Sequence, residues 1–459
     1  MGKSDSQYDV LVAGAGPAGA AAAVAAARCG KKIALVERDY YPGGAPASAL
    51  VTPMQAFGSP KGRVIGGFGQ ELVERLVKMG GSPGHLLDPL GFCNTVTPVD
   101  AGALRMALFE MFEESGVAFF GGMRVVGAKF EGEGVLGAAI LRGEKGGEVE
   151  LRARAFVDAT GDGDLAHAAG VPAEVDDECQ PMTLIFRVGN VDTGKLIEYQ
   201  KAHPEEFVLH PDPAVLDGGY VGISGFFSAV KRARESGRIT IPRDRLLLFG
   251  GVRAGEIIVN TTRVQGCSGL ISEEIAVATR EGYRQAGEVF RFLREDIPGF
   301  EDAVVFEIAP RIGVRETRRI RGRFRLEESH LLETVEFPDV IAKGAFPVDI
   351  HLAKSDGIES VPIPGKGHYD IPLGCLLTNE VSNLIVAGRC MSASHRAFSS
   401  TRVQPTSMAV GQAGGVVAAF AADDPADDVA DRIGEIQDKL AGQGAILFDD
   451  QIVREGKNW

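Results

Sequence analysis

Cysteine is scarce and scattered. The six residues Cys29, Cys93, Cys179, Cys267, Cys375 and Cys390 form no CxxC pair and no metal-ligand spacing with histidine. That excludes a zinc ribbon, a vicinal-thiol motif and a secreted disulfide framework, so no metal is expected and a reducing, cytoplasmic location fits. Positive charge is also in deficit: 48 Lys and Arg against 62 Asp and Glu leave a formal net charge of −14. Such a chain repels a polyanion, and nucleic acid is not an expected partner. Long apolar runs are missing too; the Ala-rich residues 20–27 are too short to cross a bilayer, and no membrane insertion is expected. What remains is a globular composition, 45% hydrophobic and 24% charged over 459 residues, long enough for two domains.

Glycine, by contrast, is abundant, with 60 residues, and its placement carries the first functional signal. Tyr8-Asp9-Val10-Leu11-Val12-Ala13 reads as a buried strand, and Gly14-Ala15-Gly16-Pro17-Ala18-Gly19 turns it into an Ala-rich helix. This is GxGxxG between strand and helix. Gly14 permits the tight turn, Gly16 lets backbone approach a pyrophosphate, and Gly19 allows close helix packing while the helix N-terminal amides face the phosphates. A second apolar strand, Lys32-Ile33-Ala34-Leu35-Val36, ends in Glu37, the acidic position that accepts hydrogen bonds from ribose hydroxyls. A second GxGxxG, Gly132 to Gly137, lies between the strand-like stretches 125–130 and 138–141 with no helix after it. It reads as a hairpin turn, so a built-in NAD(P)H domain is not expected.

These residues resemble the FAD-dependent oxidoreductases of the glutathione-reductase-like superfamily, and the likeness spans nearly the whole chain. Glu37-Arg38 followed by Gly43-Gly44 is similar to that family's loop after the second strand, and Phe156-Val157-Asp158-Ala159-Thr160-Gly161 to its return to the cofactor. The stretch Gly313-Val314-Arg315-Glu316-Thr317-Arg318-Arg319-Ile320-Arg321-Gly322 resembles a branch that includes generic FAD-dependent oxidoreductases. Read on its own, it is an arginine-rich face paired with carboxylates, or an anion contact. Asn383-Leu384-Ile385-Val386-Ala387-Gly388-Arg389 and Gly411-Gln412-Ala413-Gly414 resemble the family's flavin-end strand and helix, the latter read as a helix opening on the flavin. The resemblance implies FAD as cofactor, with Gly14, Gly16, Pro17, Ala18, Gly19, Glu37, Arg38, Gly44, Val126, Ala159, Thr160, Gly161, Gly388, Arg389, Gly411, Gln412, Ala413 and Gly414 around it.

Ser394-His395-Arg396 through Thr401-Arg402 is polar and basic where the chain should pass the flavin ring. Related succinate and fumarate enzymes place a histidine and an arginine in a comparable stretch, which nominates His395 as base and Arg402 either to hold an anionic substrate or to stabilise reduced flavin. His368 is a secondary candidate for the same pocket, and Cys390 reads as a small buried hydrophobe.

The fold class expected is α/β: a discontinuous Rossmann-like FAD-binding domain with an inserted α+β substrate domain. Residues 1–170 and 371–425 form the first, 171–370 the second, and 426–459 a C-terminal helix and tail. The function expected is a dehydrogenase or oxidase moving hydride between a small organic substrate and flavin N5, with a separate electron acceptor or donor. Alternatives are a reductase fed by external NAD(P)H, a FAD-stabilised interaction protein without turnover, and a plain NAD-dependent dehydrogenase. A homo-oligomer stays open, as do the substrate, the direction of transfer and covalent attachment of the flavin.

Overall fold

The computed structural model describes residues 8–454. The opening unit forms as its periodicity predicts: β1 (Tyr8–Ala13), a turn at Gly14, α1 (Pro17–Ala27) and β2 (Ile33–Glu37), with Val10 of β1 opposite Ile33 of β2 in a parallel pair. Because these strands are apolar on both sides, both faces need cover. Val10 and Val12 pack with α1, while Leu11 and Ala13 pack on the other face with Leu136, Leu141 and Leu165.

β3 (Ala118–Gly121) extends the sheet in parallel beyond β2, and β4 (Met123–Gly132), β5 (Val135–Gly143) and β6 (Glu148–Asp158) complete its other side. β6 does two jobs. Its first half pairs antiparallel with β5, and its second half pairs parallel with β1. The second GxGxxG is the turn joining β4 to β5, as expected, and leads into no helix.

The insert is one antiparallel sheet built from β7 (Phe186–Gly189), β8 (Phe207–Val208), β9 (Gly222–Gly225), β10 (Leu246–Gly250), β11 (Ile257–Val259) and β12 (Val304–Ile308), in the order β8-β9-β10-β11-β7-β12. The long helix α2 (Ser272–Asp296) covers one face with Ala286, Val289, Phe292 and Leu293, which pack on Leu246 and Leu248 of β10. Strand alternation turns Leu247 and Phe249 the other way, into a cleft. This second core runs from Phe186 to Ala303, whereas Leu326, Val348 and Ile363 pack into the first core. The chain after 320 folds back because Val340–Gly344 pairs with Tyr369–Pro372, and because Ser399 Oγ accepts the amide of Asp349 at 3.0 Å.

The return elements are β13 (Val348–His351), β14 (Leu384–Val386), α3 (His395–Thr401) and α4 (Gln404–Ala421). β14 joins the first sheet parallel to β6, with Leu384 opposite Phe156. Here one expectation is corrected: Gly411, Gln412, Ala413 and Gly414 do not open a helix but lie buried in the middle of α4, which begins at Gln404 with a proline in its first turn. Small residues signalled close helix contact rather than a terminus. A Cβ at Gly411 would sit 2.1 Å from Ala18 O, and one at Gly415 2.1 Å from Ala22 O, so α4 lies directly on α1. The proline was the terminal signal. Among the described residues, no helix is long and apolar enough to cross a membrane.

Candidate functional site

One cleft of about 890 Å³ runs from the carboxyl ends of β1, β2, β6 and β14 to the open face of the insert sheet. The carboxyl edge of a parallel sheet is where the first turns of following helices leave backbone amides free, and ligands of such sheets bind there. Gly14, Gly16, Pro17 and Ala18 line the start of the cleft. Gly14 has φ +93° and a Cβ on it would lie 2.4 Å from Ala159 O, so the turn admits no side chain. Gly19 lies beneath the cleft surface; a Cβ there would lie 1.7 Å from Gly14 O, which makes it the contact that lets α1 start so close to β1. A Cβ on Gly16 would meet only Gly44 Cα at 3.8 Å and would otherwise enter open space.

Glu37 closes β2 beside this turn. Its Oε2 accepts the Ala15 amide at 2.7 Å and its Oε1 the Asp39 amide at 3.0 Å, while burial raises its pKa above the ordinary carboxylate range. The loop after β6 is set by Asp158, whose Oδ1 accepts the Thr160 amide at 3.0 Å and hydroxyl at 2.7 Å and whose Oδ2 accepts the Ala166 amide at 2.8 Å. That leaves Ala159, Thr160 and Gly161 on the cleft surface, with Arg38, Gly44 and Gly388 around them. Arg389 also lines the cleft, but its guanidinium is tied to Asp162 and donates to Thr317 Oγ1 at 2.9 Å.

Several nominated residues are elsewhere. Val126 is 36% exposed and does not line the cleft, whose lining on β4 is Met123, Arg124 and Val125. Gln412 Oε1 accepts the Phe68 amide at 3.0 Å and its Nε2 donates to Gln443 O at 3.1 Å, both within the packed interior. His368 is buried against Asp449, 3.0 Å from its Nε2, and does not line the cleft.

His395 and Arg402, nominated together, are separated. They sit at opposite ends of α3, about 10 Å apart along its axis at 1.5 Å per residue. Arg402 lines the cleft and His395 does not. His395 Nδ1 is 2.9 Å from Asp176 Oδ2 and 2.8 Å from Glu316 Oε1, and these carboxylates raise its pKa to about 9. It is therefore a cation at neutral pH, fixed in an ion cluster that Arg319 joins at 2.5 Å from Glu316 and 2.6 Å from Asp176. The same arrangement could hold a metal by donor type alone, but arginine and histidine cations already fill the space between the carboxylates.

The histidine that does face the cleft is His351, on β13, with its Nε2 3.3 Å from Asp349 Oδ2. Burial and the nearby Arg315 lower its pKa to about 3, so it is neutral. Asp349 in turn lies 3.5 Å from Arg402, and Arg243, which precedes β10, completes this end of the cleft. Sequence reasoning does not single out His351, Asp349 or Arg243. One faint signal existed for the first two: polar residues at i and i+2 alternate with Val348 and Ile350, which puts both on one face of a strand.

The pattern that defines the family described as FAD dependent oxidoreductase matches residues 9–440. The chain belongs to the FAD-dependent oxidoreductase family. Its cofactor is FAD and its activity falls within flavin-dependent redox chemistry. No curated protein matches in sequence. Among solved structures it is similar to a geranylgeranyl bacteriochlorophyll reductase-like protein from Thermoplasma acidophilum, at 13% identity over 97% of this chain and 89% of that one, with a TM-score of 0.48. It is also similar to p-nitrophenol 4-monooxygenase PnpA from Pseudomonas putida DLL-E4 (11% identity, 95% and 84% covered, TM-score 0.46) and to the myxobacterial chondrochloren halogenase CndH (14%, 95% and 78%, 0.45).

Proposed function

We propose that this FAD-dependent oxidoreductase moves a hydride between a small organic substrate and flavin N5, with the substrate seated under the open face of the insert sheet. The observation that carries the reading is the continuity of one cleft, from the glycine turn before α1 to His351 and Arg402. The residues at the first end fit the cofactor: Gly16 leaves room where a pyrophosphate passes, the first amides of α1 point out of the helix, and each Glu37 oxygen keeps a lone pair for a ribose hydroxyl. Arg38, Gly44, Ala159, Thr160, Gly161, Gly388 and Arg389 line the cleft beyond them.

FAD, when bound, supplies the two-electron acceptor or donor. The chain supplies the rest. Asp349 holds one ring nitrogen of His351, leaving the other free to take or return the substrate proton. Leu247 and Phe249 line that half with apolar surface that keeps water from the reacting centre. Electrons enter or leave in the other half-reaction through a separate donor or acceptor.

The test is the visible spectrum of the purified chain, followed by anaerobic bleaching of its flavin bands with candidate substrates. A chain that stays colourless and takes up no added FAD overturns the reading; colour that no organic substrate bleaches, but NAD(P)H does, replaces hydride transfer from a substrate with the reductase alternative.

A further inference from the structure

The far end of the cleft holds more positive charge than it can neutralise. Arg243, Arg315 and Arg402 all line it, and they come from the run into β10, the segment 308–322 and the turn between α3 and α4. Among the described residues, neither Arg243 nor Arg315 has a carboxylate oxygen within 4.0 Å. Arg402 has one, Asp349 at 3.5 Å, and that carboxylate is shared with His351. The remaining contacts are neutral. Arg243 Nη1 donates to Asn260 O at 3.0 Å, Arg315 Nη1 to Thr183 Oγ1 at 2.7 Å and to Pro181 O, and Arg402 Nη2 to Gln180 Oε1 at 3.5 Å. Arg243 is only 1% exposed, and its Nε, like that of Arg402, is buried without an acceptor.

The contrast within the arginine-rich segment is informative. Arg311 pairs with Asp39, Arg318 with Asp164, Arg319 with Glu316 and Arg321 with Glu174. Only Arg315 of that set lacks a carboxylate, and it is the one at the far end of the cleft. Buried charge without a partner is costly, so an arrangement that keeps three guanidiniums against one carboxylate is one that an anion completes. Guanidinium offers parallel donors matched to a carboxylate, which gives orientation as well as attraction.

Resting on the flavin reading above, we infer that the substrate is a small organic acid held through carboxylate by Arg243, Arg315 and Arg402. The two charges left uncompensated favour a dianion. The inference adds a link to the proton chemistry: burial is the main reason that His351 stays unprotonated and repulsion from Arg315 the second, and an anion beside Arg315 offsets the second. The same guanidiniums would also suit the anionic ring edge of the cofactor, and the FAD content of the variants separates the two.

Succinate and malonate as dianions, acetate as monoanion and succinamide as neutral isostere are titrated into the FAD-loaded protein, wild type, Arg243→Gln and Arg402→Lys. Flavin absorbance, thermal midpoint and FAD per chain are read together. Expected are saturable responses to the dicarboxylates, weaker ones to acetate and none to succinamide, with affinity about 10- to 100-fold lower in Arg243→Gln and FAD content unchanged. Should Arg243→Gln fail to fold, Arg402→Lys carries the comparison. Equal responses to succinate and succinamide, or none on either readout, overturn the inference. So do variants that lose FAD while keeping anion affinity, which would give the charge to the cofactor and leave the flavin reading standing. A chain that takes up no FAD yet is stabilised by succinate through Arg243 does the reverse: it supports the anion site and sinks the flavin reading.

Discussion

The two ends of the cleft are built on opposite principles. At the first end the groups come from residues 14–44 and are mostly backbone: the Gly14 turn, the amides of α1 and the clearance over Gly16, with Glu37 as the principal side chain. At the other end Arg243, Arg315, Asp349, His351 and Arg402 converge as side chains from segments far apart in sequence: the run into β10, the segment 308–322, β13 and the turn after α3. Recognition by backbone demands missing side chains at fixed spacing, so it is written locally. Recognition by side chains demands only that the fold bring them together, so it leaves no contiguous trace. The expected cost of damage differs accordingly.

The largest effect belongs to the backbone end. Gly16→Val should fold, since its Cβ meets no atom closer than Gly44 Cα at 3.8 Å, but its branches fill the space that the cofactor needs. FAD affinity should fall on the order of 1,000-fold, about 4 kcal/mol, read as loss of flavin absorbance from a chain with unchanged circular dichroism. Gly19→Val, whose Cβ would strike Gly14 O, should fail to fold at all. If Gly16→Val keeps its FAD, the backbone end does not hold the pyrophosphate. At the side-chain end, His351→Ala should leave FAD content intact and lower kcat by about 100- to 10,000-fold, the usual range for a general acid or base. A fall of less than tenfold would assign the proton to another group.

That division explains what could be read before the structure. β1, the turn, α1 and β2 were legible because an apolar strand, three glycines and Glu37 leave one geometry open to them. The hairpin at 132–137 was legible from what did not follow it. His395 shows why the side-chain end is harder to read: a histidine in a polar stretch near the ring position looks like a base, and nothing local reveals that Asp176 and Glu316, from two other segments, pair with it away from the cleft lining. His351 was overlooked because its strand is short and mostly apolar, and the arginines that surround it are supplied by tertiary structure alone.

The small-residue run in α4 offers a way to sharpen the comparison, since sequence pointed to a cofactor contact and the structure gives a helix contact. Gly411→Ala places a methyl 2.1 Å from Ala18 O and should force α4 away from α1. Loss of about 3 kcal/mol, the upper end of overpacking costs, is expected in a denaturant melt of the apoprotein. Weakened FAD binding with no change in stability would mean instead that this part of the helix touches the cofactor.

The smallest effect separates the two histidines by pH. For His395 the folded pKa, about 9, lies above its unfolded value, so its stabilisation is complete below about pH 6.5 and is lost as pH rises through 9. With allowance for its partial exposure the loss is about 2 kcal/mol, and His395→Gln should flatten that alkaline limb. His351 acts on the acid side with the opposite sign. Its folded pKa, about 3, lies below the unfolded one, so the folded chain refuses a proton that the unfolded chain accepts, and stability falls as pH drops from about 6.5 toward 3. Thermal midpoints of wild type, His395→Gln and His351→Ala across pH 4 to about 10 should therefore show two separate limbs, each removed by one substitution. An alkaline limb that survives His395→Gln would mean that the ion cluster with Asp176 and Glu316 does not form, and would reopen His395 as a group free to reach the cleft.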